Sequence, residues 1–201
     1  MNVIKYFSPL LKEKKFIEDL PVIIRVRKFD EAAAKEFSEQ MSLAQNTGQP
    51  VVPVIIDSYG GQVYSLMSMI SDIRHSKVDV ATIVQGKAMS CGALLFSFGK
   101  EEMRYMDPDA TLMIHDVSSM RWGKVEEIKA SAEETERLNR KVYMMMAENC
   151  GHHKDYFLDI VHKKGHADWF LDTADAINHK LANHAHIPTL KITTKVEFDL
   201  G

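Results

Sequence analysis

Short β-branched runs separated by amphipathic stretches constrain this chain more than any other feature. Val22-Ile23-Ile24-Arg25-Val26, the run from Val51 to Ile56, and Val80-Ala81-Thr82-Ile83-Val84 have the length and composition of strands. Between the first two, Asp30 is a good N-cap, and Ala33, Phe37, Met41 and Ala44 share one face of a helix that Asn46-Thr47-Gly48 ends. Before the third, Val63, Leu66, Met67, Ile70 and Ile73 recur at helical spacing from about Gln62. Strands alternating with helices require crossover connections, so the expectation is an α/β fold with helices on the sheet faces and chemistry at the strand ends. Pro53 cannot donate to a ladder and predicts an edge or irregular position for its strand.

Further along, a helix is expected after Ser90, and two short strands around Met103 to Met106 and Thr111 to His115. From Lys124 to about Asn149 the pattern changes: Val125, Ile128, Ala132, Thr135, Leu138, Val142 and Met145 recur every three or four residues. One helix of roughly 25 residues, about 40 Å long, would carry them. It is longer than the core of such a domain requires. Either its end is buried, since Tyr143-Met144-Met145-Met146 is apolar on several faces, or it is an arm packing against a copy of itself through Val125, Ile128, Leu138 and Val142. A short helix from Tyr156 to Lys163, a turn at Gly165, a helix from Thr173 to Lys180 and a last strand from Leu190 complete the expectation. Ile192, Thr194, Val196 and Phe198 alternate in that last strand. No repeat or linker divides residues 1–201, which reads as a single domain.

The net charge of -3, with lysine and arginine scattered among carboxylates, recommends no nucleic acid as partner. The most apolar stretch, Ala88 to Gly99, is far short of the roughly 20 residues a membrane span needs, so no membrane partner is expected. The first twenty residues carry seven charges and do not read as a secretory signal. Cys91 and Cys150 form no disulfide framework and suit a reducing, cytoplasmic setting. Nine histidines raise the question of a metal, but Gly165 interrupts the pair His162 and His166, and His152-His153 and His184-Ala185-His186 lack nearby ligands in a recognisable pattern. These read as solvent-exposed histidines, and neither metal nor cofactor is expected.

Three strand ends carry chemistry. Ser90, in Ala88-Met89-Ser90-Cys91-Gly92-Ala93, opens a helix after an apolar strand. His115 closes Leu112-Met113-Ile114-His115, and Ile55-Ile56-Asp57-Ser58-Tyr59-Gly60-Gly61 ends in a glycine pair. A hydroxyl needs an adjacent base to become a nucleophile, and imidazole has the proton affinity for that work near neutral pH. The N–H of Cys91 at the helix start, with a second amide at the glycine pair, suits a developing oxyanion. Taken singly, the serine reads as a packing serine and the histidine as a satisfied core histidine. In combination they point to a serine hydrolase.

The segment from Val51 to His115 resembles the proteolytic subunits of Clp-type proteases, the ClpP family. There a strand leads into Ser-Pro-Gly-Gly, the nucleophile lies in Ala-Ser-Met-Gly-Ala, and the histidine follows in Met-Ile-His. This chain has Ser58-Tyr59-Gly60-Gly61, Met89-Ser90-Cys91-Gly92-Ala93 and Met113-Ile114-His115 in the same order. Asp168-Trp169-Phe170-Leu171, with Ala174, Asp175 and Ala176 after it, resembles the family's Asp-x-Phe-Met/Leu-Ser-Ala-x-Glu-Ala. The similarity runs from about Val22 to Ala182 and does not extend over residues 1–20. It implies a ClpP/crotonase-like fold of repeated strand-helix units, a handle helix at 124–149, a triad of Ser90, His115 and Asp168, and oxyanion amides at Gly61 and Cys91. It further implies unfolded polypeptides as substrates, one heptameric ring or two stacked ones, and an AAA+ unfoldase as ATP-consuming partner. Departures are Tyr59 for proline, Cys91 for methionine, and Asp116-Val117 and Ser119-Met120 for the Gln-Pro and glycine pair. Ala167 stands for an arginine that helps join the rings. The alternatives are a crotonase-like enzyme acting on coenzyme A thioesters, or a dedicated maturation protease working without an unfoldase.

Overall fold

The computed structural model describes residues 21–120 and 122–191. In chain order they form β1 (Ile24–Val26), α1 (Glu31–Asn46), β2 (Val51–Ser58), α2 (Val63–Arg74), β3 (Asp79–Met89), α3 (Cys91–Phe96), β4 (Arg104–Met106), β5 (Thr111–Ile114), α4 (Val125–Asn149), α5 (Tyr156–Lys163), β6 (Trp169–Leu171) and α6 (Thr173–Asn178). The strands make one sheet in the order β1-β2-β3-β5-β6, and β4 also pairs with β3. The 11 residues of β3 let it hold two neighbours, β4 from Thr82 to Val84 and β5 from Lys87 to Met89. These pairings are parallel, as crossover connections demand, except that β6 runs antiparallel to β5. The expected α/β class is the observed one.

Local chemistry explains where elements begin. Asp30 caps α1 by accepting the Ala33 N–H at 2.8 Å, and the helix buries Ala34, Phe37, Met41 and Ala44. Ala34 thus takes the core position expected of Ala33, which is half-buried. β1 starts at Ile24 because buried Gln49 occupies the backbone of Val22. Its Oε1 accepts the Val22 N–H at 2.7 Å, and its Nε2 donates to the carbonyls of Val22 and Val51. β2 lies between β1 and β3, an interior place that corrects the edge expectation from Pro53. The β1 ladder begins only at Val54, so Pro53 has a strand partner, Ala81, on one side alone. A missing donor is tolerated there.

The long helix forms as expected, but its apolar stripe is divided. Leu138 and Val142 are only 7% and 8% exposed and pack inside this chain with Tyr143, Met145, Met146 and Ala147, which corrects their assignment to an outward arm. Val125 and Ile128, 66% and 44% exposed, are the outward portion, beside exposed Met120 and Trp122. Periodicity marks a face as apolar but not what covers it. Buried Arg104 fastens several elements: its Nη1 donates to the carbonyls of Ser97 and Asn149 at 3.3 and 2.8 Å, and its Nε to Asn183 Oδ1 at 3.2 Å.

Two further differences concern the C-terminal third. β6 is a strand that residue patterning does not announce, and α6 ends at Asn178, two residues before the expected Lys180. Of the strand expected from Leu190 onward, Leu190 and Lys191 are not in a strand and the rest lies on residues 192–201, which, like the N-terminal segment 1–20, fall outside the described residues. Among the described residues no helix is long and apolar enough to cross a membrane.

Candidate active site

Strand direction brings the chemical groups together. β2, β3 and β5 run parallel, so the turns after them, carrying Gly60-Gly61, Ser90 and His115, emerge at one end of the sheet. Because β6 is antiparallel, the end that reaches this edge is its beginning. Trp169 pairs with Ile114, and Asp168 just before it comes beside His115. A parallel β6 would have carried the carboxylate to the far edge.

Ser90 sits at φ 54 and ψ -119, a left-handed conformation that a non-glycine residue adopts at a cost of about 1–3 kcal/mol. The sheet holds it there. The Ser90 N–H donates to the Met113 carbonyl at 2.8 Å, and its carbonyl accepts the Leu94 N–H at 3.2 Å as α3 begins. The strain turns the hydroxyl outward at a strand-to-helix turn. His115 Nε2 lies 2.8 Å from Ser90 Oγ. His115 Nδ1 lies 3.6 Å from Asp168 Oδ1, an electrostatic contact longer than a hydrogen bond, and the Asp168 side chain is 54% exposed. The three residues singled out in the sequence are therefore adjacent, one contact tight and one loose.

The glycine pair meets the same site. Gly60 has φ +103, and a Cβ there would come within 2.8 Å of Ser90 Cβ and 2.9 Å of the Met89 carbonyl. Gly61, at φ +152, has no room for a Cβ against the Phe29 carbonyl oxygen. The next residue's N–H, from Gln62, donates to that oxygen at 2.7 Å. Cys91 is the first residue of α3, so its N–H has no carbonyl within its own helix. Its thiol donates to the Gly61 carbonyl at 3.2 Å, which ties the glycine turn to the helix start, and burial pushes the thiol pKa up. Tyr59 does not disturb this turn. Its ring lies under Lys87 Nζ at 4.3 Å, and Lys87 pairs with Asp57 at 2.7 Å.

A small pocket of about 70 Å³, partly open to solvent, adjoins Ser90 and His115, with Val63, Leu66, Leu94, Ile114, Val142 and Met146 among its walls. Tyr143 also lines it. The Tyr143 hydroxyl is buried with no hydrogen-bond partner among the described residues, although it lies near enough to Asp116 to interact electrostatically. Burial and that carboxylate both raise its pKa.

Asp116 forms a cluster that sequence reasoning does not identify. Asn139 Nδ2 donates to Asp116 Oδ1 at 2.8 Å, His166 Nδ1 donates to Oδ2 at 2.6 Å, and Asn139 Oδ1 accepts the Val117 N–H at 2.9 Å. Burial raises the Asp116 pKa, but the bonds from Asn139 and His166 outweigh it and leave it below the usual range. His166, expected to be solvent-exposed, is half-exposed and nonetheless engaged. Adjacency to His115 and the departure from the family's Gln-Pro mark Asp116, whereas the only sequence signal at His166 is its spacing from His162, which does not point to Asp116. Among the described residues no three His, Cys, Asp or Glu side chains are grouped to hold a metal.

A hydroxyl presented by a strained backbone, with an imidazole nitrogen at hydrogen-bond distance and a small pocket beside it, has the form of a serine hydrolase. The Clp protease family model matches residues 11–189, beyond both ends of the resemblance read from motifs. The chain belongs to the Clp protease family and is a serine endopeptidase of the ClpP type.

Proposed function

We propose that Ser90, His115 and Asp168 form the catalytic triad, with the N–H groups of Gly61 and Cys91 as oxyanion donors. Ser90 Oγ attacks the peptide carbonyl while His115 Nε2 takes its proton. The oxyanion of the tetrahedral intermediate is met by the two amides, whose dipoles are already oriented. His115 then gives the proton to the leaving amine, and water repeats the sequence on the acyl-enzyme. Asp168 orients the imidazole and stabilises its charged form. The reaction as proposed needs no metal or cofactor. The observation that carries the reading is the 2.8 Å contact between His115 Nε2 and Ser90 Oγ at a strained strand end. The apolar residues among the pocket walls support an apolar side chain before the scissile bond.

The compartment belongs to the same proposal. Unfolded polypeptides are cut inside a heptameric ring, one or two rings deep, fed in the cytoplasm by an AAA+ unfoldase that supplies the ATP-driven step. Exposed Met120, Trp122, Val125 and Ile128 support self-association through the outer half of α4. A fluorophosphonate should label Ser90, and Ser90→Ala should abolish labelling and peptide cleavage together; full activity in that variant overturns the triad. Native mass spectrometry should give a multiple of the 22.9 kDa subunit, and a monomer at every concentration overturns the ring.

A further inference from the structure

We propose that His166 and Asp116 are positioning residues that hold Asp168 against His115, an inference that rests on the triad reading above. Asp168 needs such support. β6 is three residues long and, among the described residues, lies at the edge of the sheet and pairs only with β5. The Asp168 side chain is more than half exposed and stands 3.6 Å from its imidazole partner. A ladder this short leaves the residue before it free to swing, and a misplacement of about 1 Å in such a contact can cost a hundredfold in rate.

The brace comes from both sides of the triad. Asp116 directly follows His115, and His166 stands two residues before Asp168. The 2.6 Å bond from His166 Nδ1 to Asp116 Oδ2 therefore joins the loop that carries the base to the loop that carries the carboxylate, fifty residues apart in sequence. Asp116 is itself fixed. Asn139 of α4 donates to its other oxygen and accepts the N–H of Val117, so the histidine loop is gripped at Asp116 and at the residue after it. His166 is held in a left-handed conformation, φ 60, which aims its ring back across the gap instead of along the chain. Ala167, between the brace and the carboxylate, has no side-chain polar group to make the link itself. His166 is not part of the pocket wall, so its effect is on orientation and not on substrate binding, whereas Asp116 lies against the wall residue Tyr143.

A double-mutant cycle on the full chain, read with a short fluorogenic peptide, tests this. His166→Ala should lower kcat about tenfold to hundredfold with KM changed less than twofold, and Asp116→Ala should lower kcat by a similar factor. His166→Asn places an amide N–H where the imidazole Nδ1 stands and tolerates φ 60, so it should keep kcat within about threefold. In an Asp168→Ala background, His166→Ala should cost nothing further. Full kcat in His166→Ala, an equal loss when Asp168 is already absent, or an Asn variant as slow as the alanine each overturns the brace. Full kcat in Asp168→Ala alone overturns instead the triad on which it rests.

Discussion

The two halves of the candidate triad are built by different means. Ser90 and His115 stand at the ends of adjacent parallel strands whose ladder reaches Met89 and Met113, and the Ser90 N–H closes the last rung on the Met113 carbonyl. Every residue of α3 behind Ser90 is buried. Asp168 precedes a three-residue edge strand and faces solvent. Ser90 and His115 are thus over-determined by the core, whereas Asp168 is held by a few local contacts. Regions of few buried contacts open at lower free energy. In such a site the tight half sets whether chemistry is available, and the loose half sets how well it is oriented at a given moment.

The largest effect expected from breaking this contrast is on the tight side. Gly60→Ala puts a Cβ against Ser90 Cβ and the Met89 carbonyl at a positive φ, so the strained serine or the glycine turn must move. Loss of an oxyanion donor alone costs about 10²–10³ in kcat, and this variant should lose at least that in peptide turnover. Activity within tenfold of the parent would show that the tight half yields as easily as the loose one. On the loose side, Asp168→Asn should cost about a hundredfold in kcat. In chymotrypsin-type enzymes the same change at a buried triad aspartate costs about 10⁴. The exposed 3.6 Å contact here is weaker, so the smaller loss is expected. A full loss of about 10⁴ would mean that the contact closes when substrate binds, which erases the difference between the halves.

The smallest expected effect lies under β6. Tyr156 Oη is 2.8 Å from His179 Nδ1, Trp169 meets the His179 ring edge-on at 4.9 Å, and burial lowers the His179 pKa. A histidine depressed in the folded state binds its proton first in the unfolded chain. Its contribution is therefore complete above the ordinary histidine pKa of about 6.5 and declines as pH falls from there toward the folded value. Melting temperature should fall between about pH 7.5 and pH 5.5, and less so in His179→Asn. The same slope in both proteins would place the acid-sensitive contact elsewhere.

The same division decides what can be read from residues alone. The parallel strands, the capped α1 and the positions of Ser90 and His115 follow from β-branched runs, an N-cap aspartate and strand ends, all of them local signals. Asp168 is reached only through family resemblance, because a three-residue strand has too few residues to display a period of two. Leu138 and Val142 look outward in sequence since helical spacing is blind to whether the covering atoms belong to the same chain. The bond between Asp116 and His166 depends on the register of β5 against β6, which no pattern in either segment encodes. Pro53 shows the converse: its local rule holds, and only its place in the sheet order escapes the sequence.

The buried guanidinium of Arg104 sets a condition on how the chain is born. Its acceptors come from Ser97, from Asn149 and finally from Asn183, 79 residues downstream. During synthesis the residue enters a collapsing interior long before the last of these exists, and a cation without its acceptors resists leaving water. The full set of acceptors around it is complete only once Asn183 is in place. Asp168 and its strand emerge within that same late interval, so a truncated product that stops short of Asn183 carries Ser90 on a scaffold that lacks one of the Arg104 acceptors.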